Sequence, residues 1–207
     1  MTQFYELKVT LKDTDPVVWR RFIVPDDITL DRLHDVLQIV MGWQDEHLHS
    51  FTFKKRVFME QPEAPNEEEE SLVRLNELLK KHGNTLRYVY DFGDNWEHEI
   101  YLEDKNYVFD DMLGPIECIQ GMMLCPPENC GGPAAYSEMM RGIFASKNNK
   151  DALEALKEVI GIPDLDDSNV ELFFYNYDVD SVNHLLSLYS RWARDRSLPM
   201  QFESDEW

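Results

Sequence analysis

Five residues in two short stretches have the types and spacing to build a polar site. They are His47 and His49 in His47-Leu48-His49-Ser50-Phe51, and Asp91, Asp94 and His98 in Tyr88-Val89-Tyr90-Asp91-Phe92-Gly93-Asp94-Asn95-Trp96-Glu97-His98. Histidines two apart on a strand share one face, roughly 7 Å apart along the chain, so their rings can converge. A facing hairpin adds His98 and a carboxylate, and two or three imidazoles with a carboxylate suit Zn, Fe or Mn. His47, His49 and His98 are therefore candidate metal ligands, and a divalent metal is the cofactor such a set would take. A plainer reading stands beside this one. His98 lies between Trp96 and Ile100 on an apolar face, where a hydrogen-bonded core histidine is common. Asp91 and Asp94 flank Gly93, and Asp favours such turns through bonds to its own backbone.

A second group is the loop holding Cys118, Cys125, Glu128, Cys130, Gly131 and Gly132. The cysteine spacings are not the paired Cys-x-x-Cys of common zinc folds. A three-cysteine site completed by His34 or His184 is one reading, and buried small hydrophobes are the other. Gly131-Gly132 would offer backbone N–H groups to an anion ahead of a helix near Ala134, or simply form a capped junction. Asp91-Phe92-Gly93 matches a kinase string, but the Gly-rich loop, Lys strand and His-Arg-Asp loop are missing. No P-loop, dinucleotide fingerprint or nucleophile elbow is present.

The elements that position these groups follow from periodicity. Residues 4–11 alternate, with Tyr5, Leu7, Val9 and Leu11 on one face, and residues 17–24 return antiparallel after Asp13-Thr14-Asp15-Pro16. Thr29 is the expected cap of a helix with the stripe Leu30, Leu33, Leu37, Val40 and Met41, ended by Gly42. Residues 47–53 read as a third strand, which puts His47, His49, Phe51 and Phe53 on one face. Asn76 is the expected cap of a short helix ending near Gly83. Residues 85–91 and 96–103 form a hairpin. After a loop at 116–133, helical patterns occupy 134–145, 150–160 and 179–193, with Gly161-Ile162-Pro163 as a stop signal. The expected fold is α+β: a mixed, mainly antiparallel sheet of about five strands packed with helices, with a helical C-terminal part. One domain is expected over 1–195, strand-rich to 110 and loop and helices from 111, with a loose tail at 196–207.

The chain has 207 residues, 43% of them hydrophobic, enough for a sizeable core. Forty acidic residues against twenty basic give a net charge of −20. That balance opposes extended binding to phosphate backbones, although Arg20, Arg21, Lys54, Lys55 and Arg56 lie on neighbouring segments. Glu67-Glu68-Glu69-Glu70 reads as a solvated loop, or as a docking site for a basic partner. No apolar run reaches the roughly 20 residues of a membrane span, and the N-terminus lacks the layout of a signal peptide. The expected location is the cytoplasm, where disulfides are not the default.

Six strings stand in order: Pro16-Val17-Val18-Trp19-Arg20-Arg21, Thr29-Leu30 through Leu33-His34, Gly42-Trp43, His47 through Phe51, the Tyr-Asp-Phe-Gly-Asp hairpin, and Cys125-Pro126-Pro127-Glu128-Asn129-Cys130-Gly131-Gly132. Together they resemble the plasmid pRiA ORF-three-like family, over residues 3 to 188. The resemblance implies a setting on plasmids or as passengers of insertion elements, and some members carry a label resembling transposon resolvase. The residues do not support recombination, which needs a nucleophilic Ser with clustered arginines and a basic DNA-binding segment. Three functions are expected in order. The first is a non-catalytic binding protein with a protein or small-molecule partner. The second is a metal-dependent enzyme, such as a hydrolase, using the His/Asp pocket. The third is a nucleic-acid accessory protein, which the charge opposes.

Overall fold

Strict alternation makes the first hairpin. Strand β1 (Phe4–Leu11) buries Tyr5, Leu7, Val9 and Leu11, and β2 (Trp19–Pro25) pairs with it antiparallel, Leu7 opposite Phe22 and Val9 opposite Arg20. The structure, a computed structural model, describes residues 3–108, 114–145, 150–160, 163–164, 166 and 168–192. Helix α1 spans Leu30–Met41, followed by β3 (His49–Phe53), β4 (Arg56–Met59) and β5 (Glu67–Glu69). Next come the short α2 (Leu75–Leu78), β6 (Thr85–Tyr90), β7 (Trp96–Tyr107) and β8 (Glu117–Met122). Four helices close the chain: α3 (Gly132–Ala145), α4 (Lys150–Ile160), α5 (Val170–Tyr175) and α6 (Val179–Trp192). The strands form one sheet in the order β5-β4-β3-β6-β7-β1-β2-β8, antiparallel except between β4 and β5.

The α+β class stands, but the sheet has eight strands where about five were expected. The additional strands are β4, in a stretch with no strand expected, and β5 and β8, in segments read as loops. The turn into β4 is Lys54-Lys55, with Lys54 at φ 59° and no Gly or Asn to announce it. Strand β5 is three glutamates, a poor strand sequence by propensity. It is held by pairing with β4, by two hydrogen bonds from the Arg56 guanidinium to the Glu68 carboxylate, both 2.7 Å, and by Glu67 accepting the N–H groups of Glu63 and Ala64.

One face of the sheet is apolar and carries the helices. The other is solvated and laced by Arg21 with Glu6 and Glu103, and by Arg87 with Glu97, as an antiparallel sheet allows. Helix α1 buries Leu30, Leu33, Val36, Leu37, Val40 and Met41, and Gly42 ends it at φ 97° with its N–H on the Gln38 carbonyl. Thr29 occupies the N-cap position, yet its hydroxyl makes no cap bond. The Leu30 N–H instead goes to Val73 O at 3.1 Å. Helix α2 starts two residues earlier than expected, with Arg74 and not Asn76 at the N-cap position, and stops at Leu78. Glu77 reaches back to the Arg74 N–H, while Asn76 donates to Asp26 from inside the helix.

Helix α6 is fastened to β8 by a reciprocal Asn183–Cys118 pair (2.7 and 2.9 Å) and to α1 by Tyr189 donating to Asp35. One core cluster runs from Tyr5 to Leu186. Gly161-Ile162 and the tail at 196–207 lie outside the described residues. Among the described residues no helix is long and apolar enough to cross a membrane.

Candidate functional site

Helix α1 ends, β3 and β7 begin and β6 ends at one end of the sheet, so the segments 42–48, 91–95 and 124–132 meet there. Trp43 sits at the centre. Its ring stacks on Tyr90 (4.8 Å between centroids), lies edge-on to His98 (5.1 Å) and is tilted against Trp96 (6.1 Å), and its Nε1 donates to Pro126 O at 3.0 Å. The Cys125–Gly132 loop is pinned over it. Glu128 Oε1 accepts the Gln44 N–H (3.1 Å) and the Tyr90 hydroxyl (3.0 Å), and Asp94 Oδ2 accepts the Gly131 N–H (3.0 Å).

The five residues of the expected polar pocket are not brought to one point. Strand β3 begins at His49, so strand parity does not extend to His47, and the two rings separate. His47 and Asp91 do meet. His47 Nε2 lies 3.7 Å from Asp91 Oδ2 and 3.9 Å from Glu128 Oε2, too far for hydrogen bonds. Asp91, at φ 53°, turns its other oxygen onto the Gly93 and Asp94 N–H groups. Asp94 ties the hairpin to the Cys loop. His98 is buried beneath Trp43. Burial pushes it down to about 3; the backbone of Tyr88 and Trp96, near the ring but outside hydrogen-bond geometry, pulls the other way, and Arg20 adds to the depression.

His49 belongs to a separate network with His34. The two rings stack with centroids 3.5 Å apart and planes 3° apart. His49 Nε2 is on the fully buried Glu70 carboxylate (2.9 and 3.1 Å). The Asp45 N–H donates to Gln38 Oε1 (2.9 Å), which orients Gln38 Nε2 to donate to Tyr88 Oη (3.1 Å). His34 Nδ1 lies 2.8 Å from Tyr88 Oη and His34 Nε2 lies 2.8 Å from Asp45 Oδ1, hydrogen bonds whose donor is set by the tautomer. His34, Asp45 and His49 each have a ligand atom within 4.8 Å of the others'. The stack nevertheless puts an ion shared by both rings well out of each ring plane, whereas imidazole binds metal in plane at about 2.0–2.1 Å. Beyond the stack, His49 lines a cleft of about 560 Å³ with Leu48, Met59, Glu60, Glu63 and Glu67.

The three cysteines are free. Cys118 is buried on β8 against Tyr177, and Cys125 and Cys130 sit in the pinned loop. Burial pushes all three thiols up, Cys130 to about 11 with Asp94 adding, so none offers a thiolate at neutral pH. Among the described residues the cysteines do not gather into a metal-holding group with His34 or His184. Gly132 is at φ 83°, and a Cβ there would meet the Asp94 carbonyl, so backbone and not ligand fills the space beside it.

Sequence reasoning named Arg20 only in a family string and as a member of a local basic patch, and the structure buries it instead. It lies on the apolar parity of β2, level with Val9, and is fully buried. Its Nε donates to Val40 O at the C-terminal end of α1, and its Nη1 to the carbonyls of Trp19 and Met122, all at 2.8 Å; Tyr177 lies 3.8 Å beneath the guanidinium. Seven polar atoms in this part of the protein are sealed from solvent without a hydrogen bond among the described residues. They are Arg20 Nη2, His47 Nε2, Trp96 Nε1, both His98 nitrogens, Glu128 Oε2 and Tyr136 Oη. The legible signal was an arginine at an apolar strand position and a tyrosine heading the buried stripe Tyr136, Met140, Ile143 of α3.

A mainly antiparallel sheet with helices on one face makes this an α+β protein. The chain belongs to the plasmid pRiA4b ORF-3-like protein family, whose model matches residues 3–172. It is 35% identical over 195 residues to the uncharacterized protein y4hQ of Sinorhizobium fredii, covering 91% of this chain and 93% of that one. It is also similar to the crystal structure of a protein of unknown function, MM3350, from Methanosarcina mazei Go1. That likeness has a TM-score of 0.63 at 29% identity and covers 75% of this chain and 90% of the other.

Proposed function

We propose that the protein is a non-catalytic binding protein whose ligand site is the loop-bearing end of the sheet around Trp43. One observation carries this reading: the gathering of unpartnered, sealed polar atoms there, His47 Nε2 and Glu128 Oε2 at its rim. Such atoms cost stability when left unpaired, and buried polar groups are otherwise nearly always bonded. The depressed His98 and the raised thiols offer neither an imidazolium nor a thiolate beneath the loop, which favours binding over chemistry. Three free cysteines fit a reducing, cytoplasmic setting.

The test is thermal unfolding against a panel of zinc, manganese, inorganic phosphate, citrate and a lysine-rich peptide. At least one probe should raise Tm in the wild type; His47→Asn and Glu128→Gln should abolish a rise caused by a cationic probe, and His47→Asn and Trp96→Phe should reduce one caused by an anion. A panel that leaves Tm unmoved, or a rise untouched by the substitutions named for it, overturns the proposal.

A second reading, a metal-dependent enzyme such as a hydrolase, is favoured by the close approach of His34, Asp45 and His49. It requires the stacked rings to part. Elemental analysis of untagged protein would show near-stoichiometric metal, lost in His34→Ala. The basic residues that could serve a nucleic-acid accessory role are dispersed: Arg20 is buried, and Arg21 and Arg56 are paired with glutamates.

A further inference from the structure

The donors beneath the loop have a common character, and it specifies a ligand. Arg20 is a fully buried cation, and among the described residues no carboxylate pairs with it. The C-terminal dipole of α1 and the carbonyls of Val40, Trp19 and Met122 supply partial negative charge only. A buried guanidinium without a counter-charge is costly, and its Nη2 is left over. Arg20 and His98 lie on the same buried face of β2 and β7, the two strands that flank β1, and α3, which carries Tyr136, starts at Gly132 against Asp94, two residues before Trp96. Trp96 stands two residues from His98 on the same strand face, and Trp43 touches both rings.

The unpartnered inventory is rich in donors. Trp96 Nε1 and Arg20 Nη2 donate only, Tyr136 Oη can donate, and neutral His98 brings one N–H. Glu128 is the nearby carboxylate with an unpartnered oxygen, but its Oε1 is committed to Tyr90 and Gln44 on the rim. A metal cation beside Arg20 would be repelled by it. An oxyanion supplies both the missing charge and the missing acceptors.

We infer that the ligand of this site carries a small oxyanion, a carboxylate or a phosphate, seated on Arg20 and Tyr136 and flanked by Trp96 and His98 beneath the Cys125–Gly132 loop. This rests on the proposed binding site and names its ligand class. Entry requires the loop to lift, and the Trp43–Pro126, Gln44–Glu128 and Asp94–Gly131 bonds are the latches.

Titration calorimetry of the full chain with inorganic phosphate and, separately, succinate tests it and tells the two sources apart. At least one should bind; Tyr136→Phe, which keeps shape and removes one donor, should weaken it about tenfold, and Trp96→Phe, which removes the indole N–H together with part of the ring, at least as much. Arg20→Met should abolish binding; because that variant can misfold, the two conservative variants decide. Failure of both anions to bind, or equal affinity in the wild type and both variants, overturns the inference. If a metal or the lysine-rich peptide instead raises Tm in a way that His47→Asn abolishes, the site survives and only its anion class falls.

Discussion

His98 is a neutral imidazole locked in an apolar site, and that has a pH signature. Its folded value, about 3, lies below the ordinary value of 6.5, so the unfolded chain takes up a proton that the folded protein refuses between those pH values. Stability from this group is complete above pH 6.5 and is lost as pH falls toward 3, with a slope of up to about 1.4 kcal/mol per pH unit. His98→Phe should remove that slope and leave stability at pH 7 equal or higher, because two unpartnered buried nitrogens disappear. Urea unfolding at pH 4.5, 5.5 and 7 checks it; a slope unchanged in the variant would show that other groups set the acid sensitivity. The parity of β7 placed His98 inward from the sequence. That both its nitrogens go unpaired could not be read there, because it depends on Tyr88, Trp43 and Arg20 arriving from three other elements.

At the scale of elements, two positions that look alike in a sequence separate in their expected cost. Thr29 precedes a good amphipathic helix, and loss of a capping side chain ordinarily costs about 0.5–2 kcal/mol. Here the hydroxyl makes no cap bond and the helix start is tied to Val73, so Thr29→Ala should cost less than about 0.5 kcal/mol. Gly132 is the opposite case. Its φ of 83° and the Asp94 carbonyl in the path of a Cβ mean that Gly132→Ala should destabilise by more than about 1 kcal/mol. Chemical denaturation of the two variants side by side checks both. The same contrast explains the strand count. Strands β1, β2, β6 and β7 announce themselves by alternation, while β4 and β5 exist because Lys54 turns the chain without glycine and Arg56 and Glu68 clasp across the pair.

At the scale of the whole molecule, the −20 charge is self-repulsive and the solvated sheet face only partly compensates it through its ion pairs. Raising NaCl from 10 to 150 mM shortens the Debye length from about 30 to about 8 Å, and Tm should rise. A Tm that falls with salt would mean that the surface ion pairs outweigh the net repulsion.

The α+β class, the helix ended by Gly42, the turn at Gly93 and the order of the family strings are written in local chemistry: side-chain alternation, helical spacing and turn residues. These are short-range properties, and the chain carries them before it folds. The site is different. His47 and His49 are neighbours in sequence but join different networks because the strand starts between them, while the residues of the proposed site, Arg20, His98, Glu128 and Tyr136, stand on β2, β7, a loop and α3. Only sheet order and the closing loop decide which buried groups meet and which go without a partner, since burial and pairing are properties of the assembled fold.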